Sequence, residues 1–422
     1  MDAYYRQTIH TWQSVRSGRG MDWDLQPKVF KYYPHEFAPV PLDQLSALHD
    51  FLQYSCGLTA KKVYPGGTYS LRANPSAGAL YPCELYLQAR GLPGLTGGIY
   101  HFEPSSGNLR LLHTLAAEEG IEGYYNSADT AYDLVLLISA IYYRSSWKYG
   151  SRALRYCLLD SGHLMGAVEA AAWIQGRSCS LVTRFNRKQV QDDFGFENQE
   201  LPMVMVTCGE GRGQQVVRPD MNLPFISGSG SFVGDPVIES AFQEMGESSE
   251  CRPGTAGTPY TAGPNDLAEA VLHRRSIRSF TGKPITVDEF EKVLHAAAAG
   301  LAIDCDEPLR LFVVVNRVEG MEPGLYSGDG HCRRSGDFSQ LAGYLCLEQA
   351  LGSESAATVF LVGDCRNYLP LMLKAGLIGQ RIYLASTLLG LGCSGIGAFY
   401  DQEVADFLET DNPVLYALAF GR

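Results

Sequence analysis

"GRSCSLVTRF" at residues 176–185 and "GLGCSGIGAF" at residues 390–399 share Gly, Cys, Ser and Phe at the same spacings. Each follows a long apolar stretch, "RALRYCLLDSGHLMGAVEAAAWIQ" and "LKAGLIGQRIYLASTLL", and each leads into a strand-like run, "LPMVMVTCGEGR" and "PVLYALAFGR". Upstream, "PVPLDQLSALHDFL" answers "PITVDEFEKVLHAA", with Pro39 and Asp43 opposite Pro284 and Asp288. Three matches in the same order point to two copies of one α+β unit. Both copies carry further apolar runs of strand length, "CELYLQAR" and "DLVLLISAIYY" in one, "LRLFVVVNRV" and "ATVFLVGDC" in the other. The text between them is rich in Gly, Ser, Thr and Pro and has little periodicity. The expected organisation is a first half over 1–212, a linker over 213–264 and a second half over 265–422.

The chain has 422 residues, 45% of them hydrophobic, enough for one or two substantial cores. A formal net charge of −12 argues against nucleic acid and anionic membranes as partners. "MDAYYRQTIHTWQ" has no basic region followed by an apolar stretch, so no signal peptide is expected. No window approaches the roughly eighteen apolar residues of a membrane span. The eleven cysteines include no CxxC pair and read as reduced thiols of a cytoplasmic protein. Metal ligands do not cluster, so no metal site is expected.

Against this acidic background "HRRSIRSF" at 273–280 stands out. It precedes a helix whose start is marked by a capping box, Thr286 with Glu289, and whose Phe290, Val293, Leu294, Ala297 and Leu301 share one face. Such a cluster is either a solvated basic loop or a seat for a small anion. A phosphate prefers planar, bidentate donors, which makes Arg274 and Arg278, with the Ser276 hydroxyl between them, the natural candidates. Carrying the helix alignment backwards sets Val29, Lys31 and Tyr33 opposite Arg274, Ser276 and Arg278, so the first copy lacks the arginines. Conversely, the first copy has "NPSAGALYPCELY" where the second has "LAIDCDEPLRLF". This is the pattern of a fused dimer that retains one of two symmetric interfacial sites. The small "PSAGAL" loop suits close backbone approach to a flat ring, although an ordinary tight turn reads the same way. "WKYG" offers Lys148 as a base if it is desolvated, with Tyr149 as a relay, or else is a surface loop. His163, in "LDSGHLMG", reads as a core histidine.

At this point the residues resemble a known family. "RRSIRSF" with "PITVDEFEKVLHAA" resembles the opening of flavin-dependent nitroreductase-fold proteins, and "GLIGQRIYLASTLLGLGCSGIGAFYDQEVADFL" resembles their late helix and flavin loop. "LRANPSAGALYPCELYLQA", "GGIYHFEP" and "YYRSSWKYGSRALRYCLLDSGH" are similar to the SagB/ThcOx-type dehydrogenases. The chain departs from that branch at Ile9, where lysine is frequent, and its second half has no PSAGA-like loop. The resemblance implies tandem nitroreductase-like halves forming an intrachain pseudo-dimer, as a monomer or a homodimer, with one FMN. It assigns Arg274, Ser276 and Arg278 to the phosphate and pyrimidine edge, with Arg422 a further phosphate candidate. It places Pro75, Ser76, Ala77 and Ala79 along the flavin from across the pseudo-dimer interface, and the backbone of Gly395, Ile396 and Gly397 near the flavin N5. Lys148 and Tyr149 match the pair to which that branch assigns azoline dehydrogenation. The substrate implied is a small molecule or a peptide-derived heterocycle. The rival readings are an NAD(P)H-dependent nitro or quinone reductase and a non-catalytic scaffold in a biosynthetic complex.

Overall fold

The sequence repeat is visible in the order of the strands. The structure, a computed structural model, describes residues 2–17, 20–64, 67–125, 129–245 and 256–422, so part of the expected linker lies outside the described residues. In the N-terminal unit seven strands form one antiparallel sheet: β1 (Pro39–Pro41), β2 (Cys83–Ala89), β3 (Gly98–Glu103), β4 (Asn108–Thr114), β5 (Leu134–Ile141), β6 (Cys179–Val182) and β7 (Glu200–Cys208), in the order β1-β4-β3-β2-β5-β7-β6. In the C-terminal unit six strands do the same: β8 (Arg310–Val315), β9 (Gly324–Ser327), β10 (Cys332–Ser335), β11 (Ala357–Val362), β12 (Gly392–Ile396) and β13 (Val414–Gly421), in the order β10-β9-β8-β11-β13-β12. Leaving β1 aside, the two orders coincide. The repeated Gly/Cys/Ser stretches become the equivalent edge strands β6 and β12.

Helices repeat as well. In the N-terminal unit α1 (Ser46–Cys56) packs on α3 (Ala153–Ile174), and the short α2 (Tyr143–Tyr149) runs into it. In the C-terminal unit α4 (Pro264–His273) and α5 (Val287–Ala298) pack on α6 (Tyr368–Leu388). The predicted capping box starts α5: the Glu289 amide donates to Thr286 Oγ1 at 3.2 Å and the Thr286 amide to Glu289 Oε2 at 2.8 Å. Phe290, Val293 and Ala297 are buried as their spacing predicts, whereas Leu294 is half-buried. Helices α3 and α6 are buried almost all round, which is why they read as unbroken apolar text. Strands β5 and β13 are buried at every position for the same reason, being covered on both faces. No helix among the described residues is long and apolar enough to cross a membrane.

The compact units do not follow chain order strictly. One comprises residues 21–254 with 302–305, the other 1–20, 255–301 and 306–422. Residues 1–20, assigned by sequence to the first half, thus fold with the second. Tyr4 and Tyr5 set their rings 6.4 Å from Tyr368, and the His10 amide donates to Asp401 Oδ2 at 2.7 Å. The stretch read as a linker contains a helix, Pro236–Met245, anchored by a 2.6 Å hydrogen bond from Tyr142 Oη to Glu239.

The N-terminal core contains charge. Lys31, aligned with Ser276, is only 3% exposed. Its Nζ lies 2.8 Å from Glu200 Oε2 and 2.9 Å from Tyr86 Oη, while Ser139 and Tyr86 donate to Glu200 Oε1 at 2.5 and 2.9 Å. Burial works most strongly against the ammonium, but Glu200, Tyr33 and Glu84 together outweigh it and the Lys31 pKa is raised. Nearby, burial opposes ionisation of Glu84, yet Arg144 at 2.6 Å and His101 at 2.9 Å hold its pKa down at about 2. The aligned position therefore serves an internal ion pair and cannot serve an external anion. Lys31→Met should destabilise the protein by about 3 kcal/mol, because it leaves Glu200 charged and buried without its cation. Urea unfolding should show most of that loss restored in Lys31→Met/Glu200→Gln.

Candidate functional site

In the C-terminal unit residues 274–278 run extended beside the β12 edge, with Ser276 bridged in parallel to Cys393 and the Ile277 amide donating to the Cys393 carbonyl at 3.2 Å. Alternation along an extended chain puts Arg274 and Ser276 on one side and Ile277 on the other, against the core. Arg274 is buried, its guanidinium 5.3 Å from the centre of the Tyr383 ring. Ser276 Oγ lies 2.8 Å from Tyr383 Oη, which also accepts the Gly395 amide at 2.7 Å. Burial pushes the Tyr383 phenol above its ordinary pKa, against the pull of Arg274, so it stays a neutral hub for these bonds. A Cβ on Gly395 would collide with Tyr416 Oη, so any side chain there would have to displace the Tyr416 ring. The Ile396 side chain is in the core, and Gly397 follows directly at the end of β12. Arg278 is exposed. Arg422 has its guanidinium against Glu289, and its carbonyl accepts from the Thr281 amide at 2.6 Å. Any phosphate at Arg422 would have to compete with that carboxylate.

In the N-terminal unit the residues 75–79 are held by Asp160, which reaches out of the apolar helix α3. Ser76 Oγ donates to Asp160 Oδ2 at 2.5 Å and the Ala77 amide to Oδ1 at 3.2 Å, while Ser76 Oγ accepts the Tyr81 amide at 2.9 Å. This hold maintains positive φ at Gly78 (64°), Ala79 (55°) and Tyr81 (44°), the last two uncommon for residues with side chains. Lys148 and Tyr149 end α2. A Cβ on Gly78 would lie 2.7 Å from Tyr149 Oη and 3.3 Å from Lys148 Nζ, so the fold brings the predicted catalytic pair onto the predicted loop. The expected desolvation of Lys148 is not found: its side chain is exposed. His163 is buried in α3, as expected of a core residue.

The equivalent edge of the N-terminal unit is covered differently. Residues 302–305 lie along β6: the Leu181 amide donates to Ala302 at 2.7 Å and the Asp304 amide to Leu181 at 3.1 Å. The Asp304 carboxylate then accepts the amides of Thr183 and Arg184 at 2.9 Å and the Thr183 hydroxyl at 2.6 Å. Thr183 and Arg184 align with Gly397 and Ala398 in the repeat. The chain itself thus puts an anion on these amides.

Tyr383, Tyr416, Asp160 and Asp304 were not singled out from sequence. Asp160 had a signal, a lone carboxylate in "RYCLLDSGHLMG", which burial obliges to find donors. The tyrosines had none, being ordinary members of apolar elements.

The nitroreductase family model matches residues 36–210 and 271–422. The chain belongs to the nitroreductase family. Among relatives, a Methanocaldococcus jannaschii protein described as a nitroreductase is 26% identical over 184 residues, 37% of this chain and 90% of its own length. An FMN reductase (NADPH) of Bacillus subtilis is 25% identical over 163 residues, 37% of this chain and 66% of that protein. A crystal structure described as a nitroreductase from Anabaena variabilis matches with a TM-score of 0.81 and 26% identity, covering 100% of this chain and 99% of that one. This nitroreductase-family chain therefore shares its tandem architecture with a solved structure over its whole length.

Burial raises the Asp160 pKa to about 7, even with Ser76 and Ala77 favouring the carboxylate. A raised carboxyl stabilises the fold fully below its unfolded value near 4 and loses that contribution as pH rises through about 7. The stability of the wild type relative to Asp160→Asn should accordingly fall between about pH 4 and pH 7, read by urea unfolding at each pH.

Proposed function

We propose that this chain is an FMN-dependent oxidoreductase, and specifically a dehydrogenase of azoline or related peptide-derived heterocycles. The observation that carries the reading is the convergence of Lys148, Tyr149 and the 75–79 loop, separated by about seventy residues in sequence and in contact distance in the fold. The donor set fits FMN. A buried guanidinium and a serine hydroxyl give a phosphate two kinds of donor, and the glycine pressed against Tyr416 puts no side chain in the way at β12. Arg274 and Ser276 would hold the phosphate, Arg278 would meet it from the solvent side, and the amides at Gly395–Gly397 would border the ring. Pro75, Ser76, Ala77 and Ala79 are assigned to the same cofactor on the sequence resemblance. FMN, when bound, supplies a two-electron acceptor or donor.

Lys148 Nζ is the proposed base, taking a proton from the substrate carbon, and Tyr149 Oη orients it. An exposed lysine acts as a base only when the bound substrate excludes water, so proton removal is tied to substrate binding. A second reading, an NADPH-dependent reductase, is favoured by the Bacillus subtilis relative, which is named for that activity. It needs neither Lys148 nor Tyr149 as a base.

The purified protein should carry about one FMN per chain, because Asp304 fills the amides at the equivalent N-terminal edge. Arg274→Ala should weaken FMN affinity by about 30-fold, the scale of a charge-assisted phosphate contact, as measured by fluorescence titration of the stripped protein. Two equivalents of flavin, or unchanged affinity in the variant, would contradict this assignment. In anaerobic stopped-flow work, Lys148→Ala should lower azoline oxidation by about 100-fold or more. Rapid flavin reduction by NADPH, unchanged in Lys148→Ala and Tyr149→Phe, with no azoline oxidation in the wild type, would establish the reductase instead.

A further inference from the structure

A cavity of about 550 Å³ in the N-terminal unit opens beside the Gly78–Leu80 turn and Lys148. Its walls are aromatic: Trp23, Tyr32, Tyr69 and Trp147 line it, and Lys28 joins Lys148 at its edge. Three of these rings are unusually open to solvent, Trp23 at 62%, Tyr32 at 52% and Tyr69 at 47%. Exposed aromatic surface gathered in one concavity, as opposed to scattered singly, marks a binding surface. The wall is also ordered. Trp147 donates its indole N–H to the Asp22 carbonyl at 2.7 Å and packs edge-on against Trp23 at 5.5 Å, and the Lys28 amide is tied to Ser229 at 2.8 Å.

The charge of the cavity runs against that of the chain. In a protein of net charge −12, the described residues lining it include two lysines and no carboxylate. Aromatic walls with free carboxylates would favour a cation; aromatic walls with lysines repel one and favour a flat ring whose edge bears an anion. The volume lies in the range of pockets for small ligands, about 300–1,000 Å³, so it suits one substituted ring system and not a folded partner.

We propose that this cavity selects the substrate, binding a flat, partly unsaturated heterocycle that carries a carboxylate, with Lys28 pairing the carboxylate and Trp23 and Trp147 covering the ring. The proposal rests on the oxidoreductase reading, with which it shares Lys148 and Ala79. Lys28, Trp23 and Tyr32 are specificity residues, acting on affinity through direct contact with substrate.

The test is isothermal titration calorimetry of the flavin-loaded and flavin-stripped protein with 2-phenylthiazole-4-carboxylate, a flat product-like probe, and with its methyl ester. The acid should bind saturably and about fivefold tighter than the ester, the scale of one partly exposed ion pair. Lys28→Gln should erase most of that preference, and Trp23→Ala should weaken both probes by about tenfold through lost ring contact. Equal affinity for acid and ester, a preference retained in Lys28→Gln, no saturable heat for either probe, or tighter binding of NADPH in competition would each overturn the proposal. Loss of flavin loading with probe binding intact would count against the cofactor reading alone. Normal flavin chemistry without probe selectivity would count against this inference alone.

Discussion

A sheet with a bare edge is open to further strand pairing, and both halves of this chain end their sheets on the same edge strand. Strands β6 and β12 descend from one repeated text, so each half faces the same problem with the same geometry. The C-terminal unit solves it with the extended segment around Ser276, whose alternation delivers Arg274 and Ser276 to Tyr383. The N-terminal unit solves it with residues 302–305, which deliver a carboxylate to the amides of Thr183 and Arg184. One edge is dressed with cations and hydroxyls, the other with an anion. The difference between an edge lined by a guanidinium and hydroxyls and an edge whose amides already hold a carboxylate follows from which stretch of chain lies along it.

The asymmetry extends inward. Lys31, at the position aligned with Ser276, turns into the core and is held by Glu200 and Tyr86. A buried ammonium needs a buried carboxylate, and both then need hydroxyl donors and acceptors, which Ser139 and Tyr86 provide. Having committed its cation to the interior, this half presents small residues at the surface, in the 75–79 loop. That loop is strained, and the strain is borne by Asp160, a carboxyl that the helix core holds near neutrality. Positive φ at Ala79 and Tyr81 persists because two donors from the loop converge on one fixed acceptor.

Much of this was legible in the sequence. Strand and helix positions followed from apolar runs, the capping box at Thr286 and Glu289 from its spacing, and the duplicated architecture from three matched segments in the same order. What the sequence hid were partnerships across long separations. Residues 1–20 have the composition of a leading segment of the first half, but Tyr4, Tyr5 and His10 find their partners at Tyr368 and Asp401, more than 350 residues away. Asp304 sits in acidic text, "AIDCDEP", with nothing local to separate a ligand of backbone amides from a solvated carboxylate. Lys148 was legible as a lysine beside a tyrosine, but its exposure depends on how α2 ends at Gly150, where φ is 56°, and no local pattern encodes that.

The four residues that cover β6 are encoded on the far side of the segment joining the two halves. Cutting the gene within that segment would give a first piece with an uncovered edge strand and Thr183 and Arg184 amides without their acceptor. The second piece would keep a short peptide with no sheet to lie on and would lose residues 1–20 as well. The two units are interleaved along the chain, so no single break in it releases both of them whole.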